Sequence, residues 1–284
     1  MFISEAFSGD HIPLSFEIFP PKGELPLDEA KTLLGQLAQF DPAFVSVTYS
    51  AGGSGNDAAT AQIAEIGTQE YGLTTMAHLT CMGATHQSMQ ETLDQFKERG
   101  VQNVLALRGD PSPTKQIEDF AFASDLIPVV RKAGFCVGAA AYPEGHVDCL
   151  DLQVDIEHLK AKQDAGAQFL VTQLFSENRI AYDFLERCRA ARIRIPIGFG
   201  IMPIMSKDQV SRMVFLCGAS LPSTLVKLIA KWEDDEESLQ KAGLEYAIGQ
   251  IEDLAKNGVD GIHLYTMNKP EVARQVCEAV ADKL

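Results

Sequence analysis

The sequence predicts an α/β fold, a (β/α)8 (TIM) barrel with an extra helix before the last strand, on three observations. Eight short apolar runs punctuate the chain, at 15–19, 44–49, 75–80, 103–108, 136–142, 169–175, 197–202 and 261–266. The first seven begin about 30 residues apart, the length of one strand plus one crossover helix. The intervening segments carry apolar residues at helical spacing. The runs themselves are nearly continuous in apolar residues, as expected of parallel strands covered on both faces.

Taken in order, Ser-Phe-Glu-Ile-Phe opens the barrel and Phe-Val-Ser-Val-Thr-Tyr and Thr-Met-Ala-His-Leu-Thr follow it. Met89, Leu93 and Phe96 form the helix face ahead of the fourth run, and Leu126, Val129, Val130 and Ala133 the face ahead of the fifth. Leu244, Ile248, Ile251 and Ala255 do the same before the eighth. Gly100, Gly134, Gly166 and Gly258 directly follow four of these helices and read as C-caps. The gap between the seventh and eighth runs is twice the others. It holds helical patterns at 207–217, 225–232 and 236–256, and one extra helix is the simplest account. The acidic run at 233–237 reads as a helix start, where carboxylates favour the N-terminal dipole. No low-complexity linker interrupts the chain, so residues 1–284 are expected to form a single barrel domain.

Composition narrows the function. A hydrophobic fraction of 46% and a charged fraction of 22% are ordinary for a globular protein. The net charge of −15 argues against nucleic acid or an anionic membrane as partner, since both require a basic footprint. A local basic pocket for a phosphate-bearing cofactor remains compatible with it. Glu5, Asp10 and His11 break any secretory pattern at the start, and no apolar run is long enough to span a bilayer. The six cysteines include no Cys-x-x-Cys pair, and no two histidines have metal-ligand spacing. A cytoplasmic protein without disulfides or metal is the expectation.

In a (β/α)8 barrel the active site forms where the strands end. That makes Glu17, Thr48, His78, Arg108, Asp110, Tyr142, Gln173 and Tyr265 the first candidates. Glu17 sits among Phe16, Ile18 and Phe19, and a carboxylate is costly to bury there without a task or a partner. Burial would raise its pKa and make it a proton donor near neutrality; the alternative is an outward side chain or a lysine partner. In Arg108-Gly109-Asp110-Pro111, the glycine permits close approach of a ligand to the backbone, with Arg108 and Asp110 able to face the mouth. Ala-Ala-Tyr-Pro-Glu-Gly-His, ending at His146, sets small residues beside an aromatic ring, which suits a flat ligand. There is no Gly-x-Gly-x-x-Gly turn, Walker loop or Gly-x-Ser-x-Gly elbow, so any nucleotide would be held by barrel loops. No lysine lies within a strand run, which counts against Schiff-base chemistry.

Six motifs, in order, give the chain a resemblance to 5,10-methylenetetrahydrofolate reductase in its bacterial, barrel-only form. They are Ser-Phe-Glu-Ile-Phe-Pro-Pro-Lys, Phe-Val-Ser-Val-Thr-Tyr, Ala-His-Leu-Thr-Cys, Leu-Ala-Leu-Arg-Gly-Asp-Pro, Ala-Ala-Tyr-Pro-Glu-Gly-His and Tyr-Thr-Met-Asn-Lys. The resemblance implies a flavin enzyme that reduces 5,10-methylenetetrahydrofolate to 5-methyltetrahydrofolate. FAD would be reduced by NADH or NADPH, which leaves before the folate enters. By resemblance Glu17 is the general acid that protonates folate N10 to open the five-membered ring, and Asp110 stabilises the cationic iminium. Thr48, Tyr49, Ala51, His78, Arg108, Gly109, Asp110, Ala123, Tyr142, His146, Asp155, His158 and Lys162 match the FAD contacts. Gln173, Gln209, Tyr265 and Lys269 match the folate contacts.

The chain departs from the family pattern at several of these positions. Phe122 replaces a tyrosine, His158 an asparagine, Ala161 an arginine, Lys269 an arginine and Met213 a phenylalanine; the segment 55–60 lacks the usual arginine. Losing an arginine removes a bidentate phosphate contact, so FAD affinity and the electron donor are where this chain is expected to differ. Relatives imply a homo-oligomer, with a partner subunit as an alternative electron source. Two other readings are a folate-dependent methyltransferase barrel and a non-catalytic flavin- or folate-binding subunit. The first would need no flavin, and the second would leave Glu17, Asp110 and Gln173 without a task.

Overall fold

The computed structural model describes residues 1–20, 27–49, 57–110 and 118–284. Eight parallel strands follow one another around a closed barrel: β1 (Leu14–Ile18), β2 (Val45–Val47), β3 (Thr75–Thr80), β4 (Asn103–Leu107), β5 (Cys136–Ala141), β6 (Phe169–Thr172), β7 (Ile197–Ile201) and β8 (Gly261–Tyr265). β8 pairs with β1, setting Ser15 beside His263 and Glu17 beside Tyr265. Each strand coincides with one of the eight apolar runs.

Helices α2 (Leu27–Ala38), α3 (Asp57–Tyr71), α4 (His86–Glu98), α5 (Ala123–Lys132), α6 (Leu152–Asp164) and α7 (Asn178–Ala190) connect successive strands from β1 to β7, and α11 (Pro270–Val280) closes the chain. Between β7 and β8 run α8 (Lys207–Cys217), α9 (Ser223–Lys231) and α10 (Glu236–Lys256). The sequence predicts one extra helix here; the structure has two. Gly218 takes a left-handed conformation (φ 66°) and ends α8, and the turn through Pro222 starts α9. Ile204, Val210, Leu225, Ile229 and Leu239 pack as a separate apolar cluster that holds this pair of helices to α10.

Alternation along the strands divides two cores. Phe16, Ile18, Val45, Val47, Val104, Ala106, Val137 and Ala139 face the helices. Met76, Leu105, Cys136, Phe169 and Val171 face the barrel axis and fill its lower half together with Phe44. A short helix that sequence reading does not predict, α1 (Ile3–Ala6), floors this end; Ile3 joins the interior cluster and Phe7 stacks on Phe169 at 6.0 Å. Glycines make the room. A Cβ on Gly138 would stand 2.4 Å from the Phe169 ring, and one on Gly261 would stand 2.6 Å from Phe7. The lower half is therefore packed solid, with Asn103 tying α1 to its floor through the Ile3 amide, and Glu17, His78 and His263 of the barrel interior lie above it.

Candidate active site

Glu17, on β1, is held in the barrel at 8% exposure. No lysine meets it. Its Oε2 lies 3.3 Å from Nε2 of His263 on β8 and 3.5 Å from Nε2 of His78 on β3. Each imidazole is fixed by a serine hydroxyl: Ser15 Oγ is 2.8 Å from His263 Nδ1, and Ser46 Oγ is 2.7 Å from His78 Nε2. The backbone of Glu17 is tied as well, its carbonyl accepting from the Thr266 hydroxyl at 2.7 Å.

Ser15 Oγ donates to the Ile262 carbonyl at 3.1 Å and lies 2.8 Å from His263 Nδ1, which orients the imidazole. His263 Nε2 then stands within hydrogen-bond reach of Glu17 Oε2 at 3.3 Å. His78 is held on the other side by Ser46. Burial depresses its pKa to about 4, against the opposing pull of Glu17, so it stands neutral at pH 7.

Beside this cradle opens a cavity of about 220 Å³ between the ends of β4 and β5 and the start of α6. Ala106, Ala123, Ala140 and Ala161 keep its walls low, and Phe122 stands 60% exposed at its edge. Basic side chains line it. Arg108 pairs with Asp148 at 2.8 Å, which holds that carboxyl below its ordinary range. Lys162 is buried and donates to the Ala140 carbonyl at 2.8 Å, its ammonium 5.4 Å from the Tyr142 ring; burial lowers its pKa to about 8. His146 packs edge-on to Tyr142 at 4.7 Å, and its pKa is lowered by burial and then by Arg108. Burial raises Asp155, with Lys162 opposing, and pushes Tyr142 up to about 12. Gly109, at φ 86°, turns the chain after β4; a Cβ there would be 3.0 Å from Thr80.

Tyr265 joins the two parts. Its hydroxyl donates to the Thr172 carbonyl at 2.8 Å, and it titrates well above its ordinary value through burial first and then the charge of Glu17, with Tyr142 contributing as well. Of the residues singled out from sequence, Arg108, Ala123, Tyr142, His146, Asp155, His158 and Lys162 line the cavity. Gly109 and Asp110 continue from its edge, and Asp110 is exposed. Thr48 and Tyr49 follow β2, half-buried, and Ala51 lies outside the described residues. His78 turns towards Glu17 and is not part of the cavity lining. Gln173 follows β6 and its side-chain oxygen accepts from Leu174 N–H at 2.8 Å. Gln209 on α8 bonds within its own loop, to Met205 N and the Pro203 carbonyl. Lys269 is the exposed N-cap of α11, next to Asn268, which brackets the backbone of Phe19 with two hydrogen bonds of 2.9 Å.

Sequence reasoning missed His263, Ser15 and Ser46. A signal for two of them was available: Ser15 and Glu17 lie two apart on β1, as His263 and Tyr265 do on β8, so alternation places each pair on one face. Ser46 would have required the register of β2 against β1, which pairs it with Glu17. The Cys149 and Asp148 lining was also not read, because both lie in a loop without periodicity.

Comparison with known proteins agrees with this geometry. A family model for methylenetetrahydrofolate reductase matches residues 3–281. The 5,10-methylenetetrahydrofolate reductase of Escherichia coli (strain K12) is 31% identical over 270 residues, covering 95% of this chain and 90% of that protein. Methylenetetrahydrofolate reductase 1 of Schizosaccharomyces pombe is 32% identical over 277 residues, and methylenetetrahydrofolate reductase (NADH) 1 of Arabidopsis thaliana is 35% identical over 271. The chain spans about half the length of these two eukaryotic relatives, 46% of each. A solved structure from Clostridium thermocellum, described as an uncharacterized protein that binds two copies of 5-methyl-5,6,7,8-tetrahydrofolic acid, superposes with a TM-score of 0.69 at 14% identity, covering 100% of this chain and 99% of that one. At that identity the likeness is one of fold. The chain belongs to the methylenetetrahydrofolate reductase family.

Proposed function

We propose that this chain reduces 5,10-methylenetetrahydrofolate to 5-methyltetrahydrofolate, with FAD seated in the cavity beside Glu17 and a reduced nicotinamide as electron donor. The observation that carries the reading is the buried carboxyl of Glu17, hydrogen-bonded to His263 inside the barrel, in a protein whose β4 and β5 ends and α6 also line a cavity rich in basic side chains. Family membership supplies the reaction, and the names of plant relatives support NADH as the donor.

The cavity residues fit the cofactor. Four alanines leave room for a flat ring, and a buried lysine that is hydrogen-bonded to a carbonyl keeps its charge available for a phosphate. Arg108, His146, His158 and Lys162 would hold the dinucleotide, with Tyr142 beside the ring. When bound, FAD supplies the redox chemistry, taking two electrons from the nicotinamide and returning them to the one-carbon unit of the folate.

The chain's own residues prepare the folate. Glu17 delivers its proton to N10, which breaks the C–N10 bond of the five-membered ring and leaves a cationic iminium at N5. His263, anchored by Ser15, keeps the carboxyl oriented and reloads it; neutral His78 restrains it from the other side without adding a positive charge near the cation. Asp110, an anion at the turn after β4, stabilises the iminium. Tyr265 and Gln173 at the ends of β8 and β6 flank the pterin. Buried Glu17 keeps water from this proton.

The purified protein should be yellow, with FAD released on denaturation and identified by chromatography. Anaerobic mixing of the reduced protein with methylenetetrahydrofolate should then restore the oxidised flavin absorbance. Failure to bind FAD, or a reduced flavin that the folate does not reoxidise, overturns the proposal.

A further inference from the structure

The connection from β5 into α6 assembles a second constellation. Cys149 in the loop, and Asp155 and His158 on the first two turns of α6, bring a sulfur, a carboxylate oxygen and an imidazole nitrogen within 4.8 Å of one another. No ligand-spacing pattern in the sequence links them. They meet because Asp151 caps α6, accepting from the Gln153 and Val154 amides, while its carbonyl accepts from Cys149 Sγ at 3.3 Å and holds the thiol over the first turn. Asp155 and His158, three apart, share one helix face.

A second observation marks the group as incomplete. Asp155 is 9% exposed, yet among the described residues it enters no ion pair. Lys162 donates one hydrogen to the Ala140 carbonyl and acts on Asp155 only through its charge, and Asp155 keeps a hydrogen bond from the His146 amide. A buried carboxylate facing a thiol and an imidazole, with no ion pair closing on it among the described residues, is three parts of a coordination sphere.

We propose that Cys149, Asp155 and His158 form a three-ligand site for a zinc-class divalent cation in the wall of the cavity. The mixed sulfur, nitrogen and oxygen set suits a borderline-soft ion, whereas magnesium and calcium ask for six or more oxygens. Tetrahedral bonds of about 2.0–2.3 Å place ligand atoms about 3.3–3.6 Å apart. Rotation of the exposed His158 and the half-buried Cys149 towards Asp155 closes the present triangle to that size. Binding releases one proton, from the Cys149 thiol, and leaves the fourth position to water. Arg108 and Lys162 oppose a cation here, but Asp148 and the Ala140 carbonyl already hold them aside. Asp155 and His158 also belong to the FAD set proposed above. On that reading, and only there, the ion and the dinucleotide compete for the same side chains, and the metal acts as a reversible block on cofactor loading.

The test uses the full chain and Co²⁺ as a spectroscopic probe, followed by Zn²⁺. Co²⁺ should give a thiolate charge-transfer band at one ion per chain, displaced by Zn²⁺. Cys149→Ser should abolish the band, and His158→Ala should keep it while weakening binding at least tenfold; circular dichroism checks that both variants fold. Added FAD should discharge the ion. Absence of a thiolate band, or unchanged affinity in Cys149→Ser and His158→Ala, overturns the site. Metal and FAD bound together overturns the competition. A chain that binds metal but never FAD leaves the site standing and refutes the cofactor reading instead.

Discussion

Glu17→Gln isolates the proton from the shape that carries it. Glutamine matches the size of the carboxyl, and an amide nitrogen in the place of Oε2, the atom that faces both imidazoles, donates an N–H to His263 Nε2 across the present 3.3 Å. Folding should therefore change by no more than about 1 kcal/mol, the scale of a single hydrogen bond exchanged for another. The transferable proton is gone. General acid catalysis contributes roughly 10²–10⁴-fold, which at 1.36 kcal/mol per decade is about 2.7–5.5 kcal/mol of barrier. Glu17 is 8% exposed, so bulk water does not replace the missing donor, and the loss should fall in the upper half of that range. Stopped-flow absorbance separates the halves: bleaching of the flavin by NADH should stay within about threefold of wild type, while reoxidation by methylenetetrahydrofolate should slow by about 10³ or more. Reoxidation at the wild-type rate would refute the acid role. Equal loss in both halves, with a lowered Tm, would make the cradle a structural anchor of β1.

Four further outcomes follow from the same geometry. Asp110→Asn should slow folate reduction more than flavin reduction and raise the flavin potential, because a carboxylate stabilises the iminium and an amide does not; spectroelectrochemistry without a shift would put Asp110 away from the flavin. Ala161→Arg, on the cavity wall, should tighten FAD by one to two decades, since charge-assisted hydrogen bonds contribute roughly 1.5–3 kcal/mol; fluorescence titration showing weaker binding would contradict the assigned pocket. Folded His78 takes its proton only near pH 4, whereas an unfolded histidine takes it near 6.5. Stability should therefore fall as pH drops through that window, by about 3 kcal/mol in all, and urea unfolding of His78→Asn should lack that slope. Gly200→Ala puts a Cβ 2.5 Å from the Thr172 carbonyl and 2.8 Å from the Tyr265 ring, so it should cost about 1–3 kcal/mol and raise KM for the folate, read by thermal melts and steady-state kinetics.

The barrel was legible because its strands are buried on both faces and its connections are regular; the eight runs are that burial written in one dimension. The doubled helix after β7 was less legible: three helical patterns were read in that gap, but counting one extra helix as the simplest account left out the turn through Gly218 and Pro222 that makes 207–217 and 225–232 two separate helices. Arg108 and Tyr142 were found at strand ends, where topology concentrates ligand contacts, whereas Lys162, in the last turn of α6, came only from the resemblance. His263 was not, because an imidazole inside an apolar run looks like any satisfied core histidine until β8 is seated against β1. The nearness of Cys149 to His158 was invisible for another reason: it depends on a loop capped by Asp151, and loops carry no period to read.

The seam between β1 and β8 gives this arrangement a temporal meaning. Glu17 is made early in synthesis, and the imidazole that faces its carboxyl at 3.3 Å is 246 residues further along. Every chain still on the ribosome, and every product cut short before residue 263, carries the acid without its partner. Joining these two edges is a long-range closure, of the kind that comes late in folding. If the proposed reduction is the chain's reaction, folate turnover reports that the ring of strands has shut, and a permuted chain with new ends elsewhere in the barrel should regain activity only when that same seam forms.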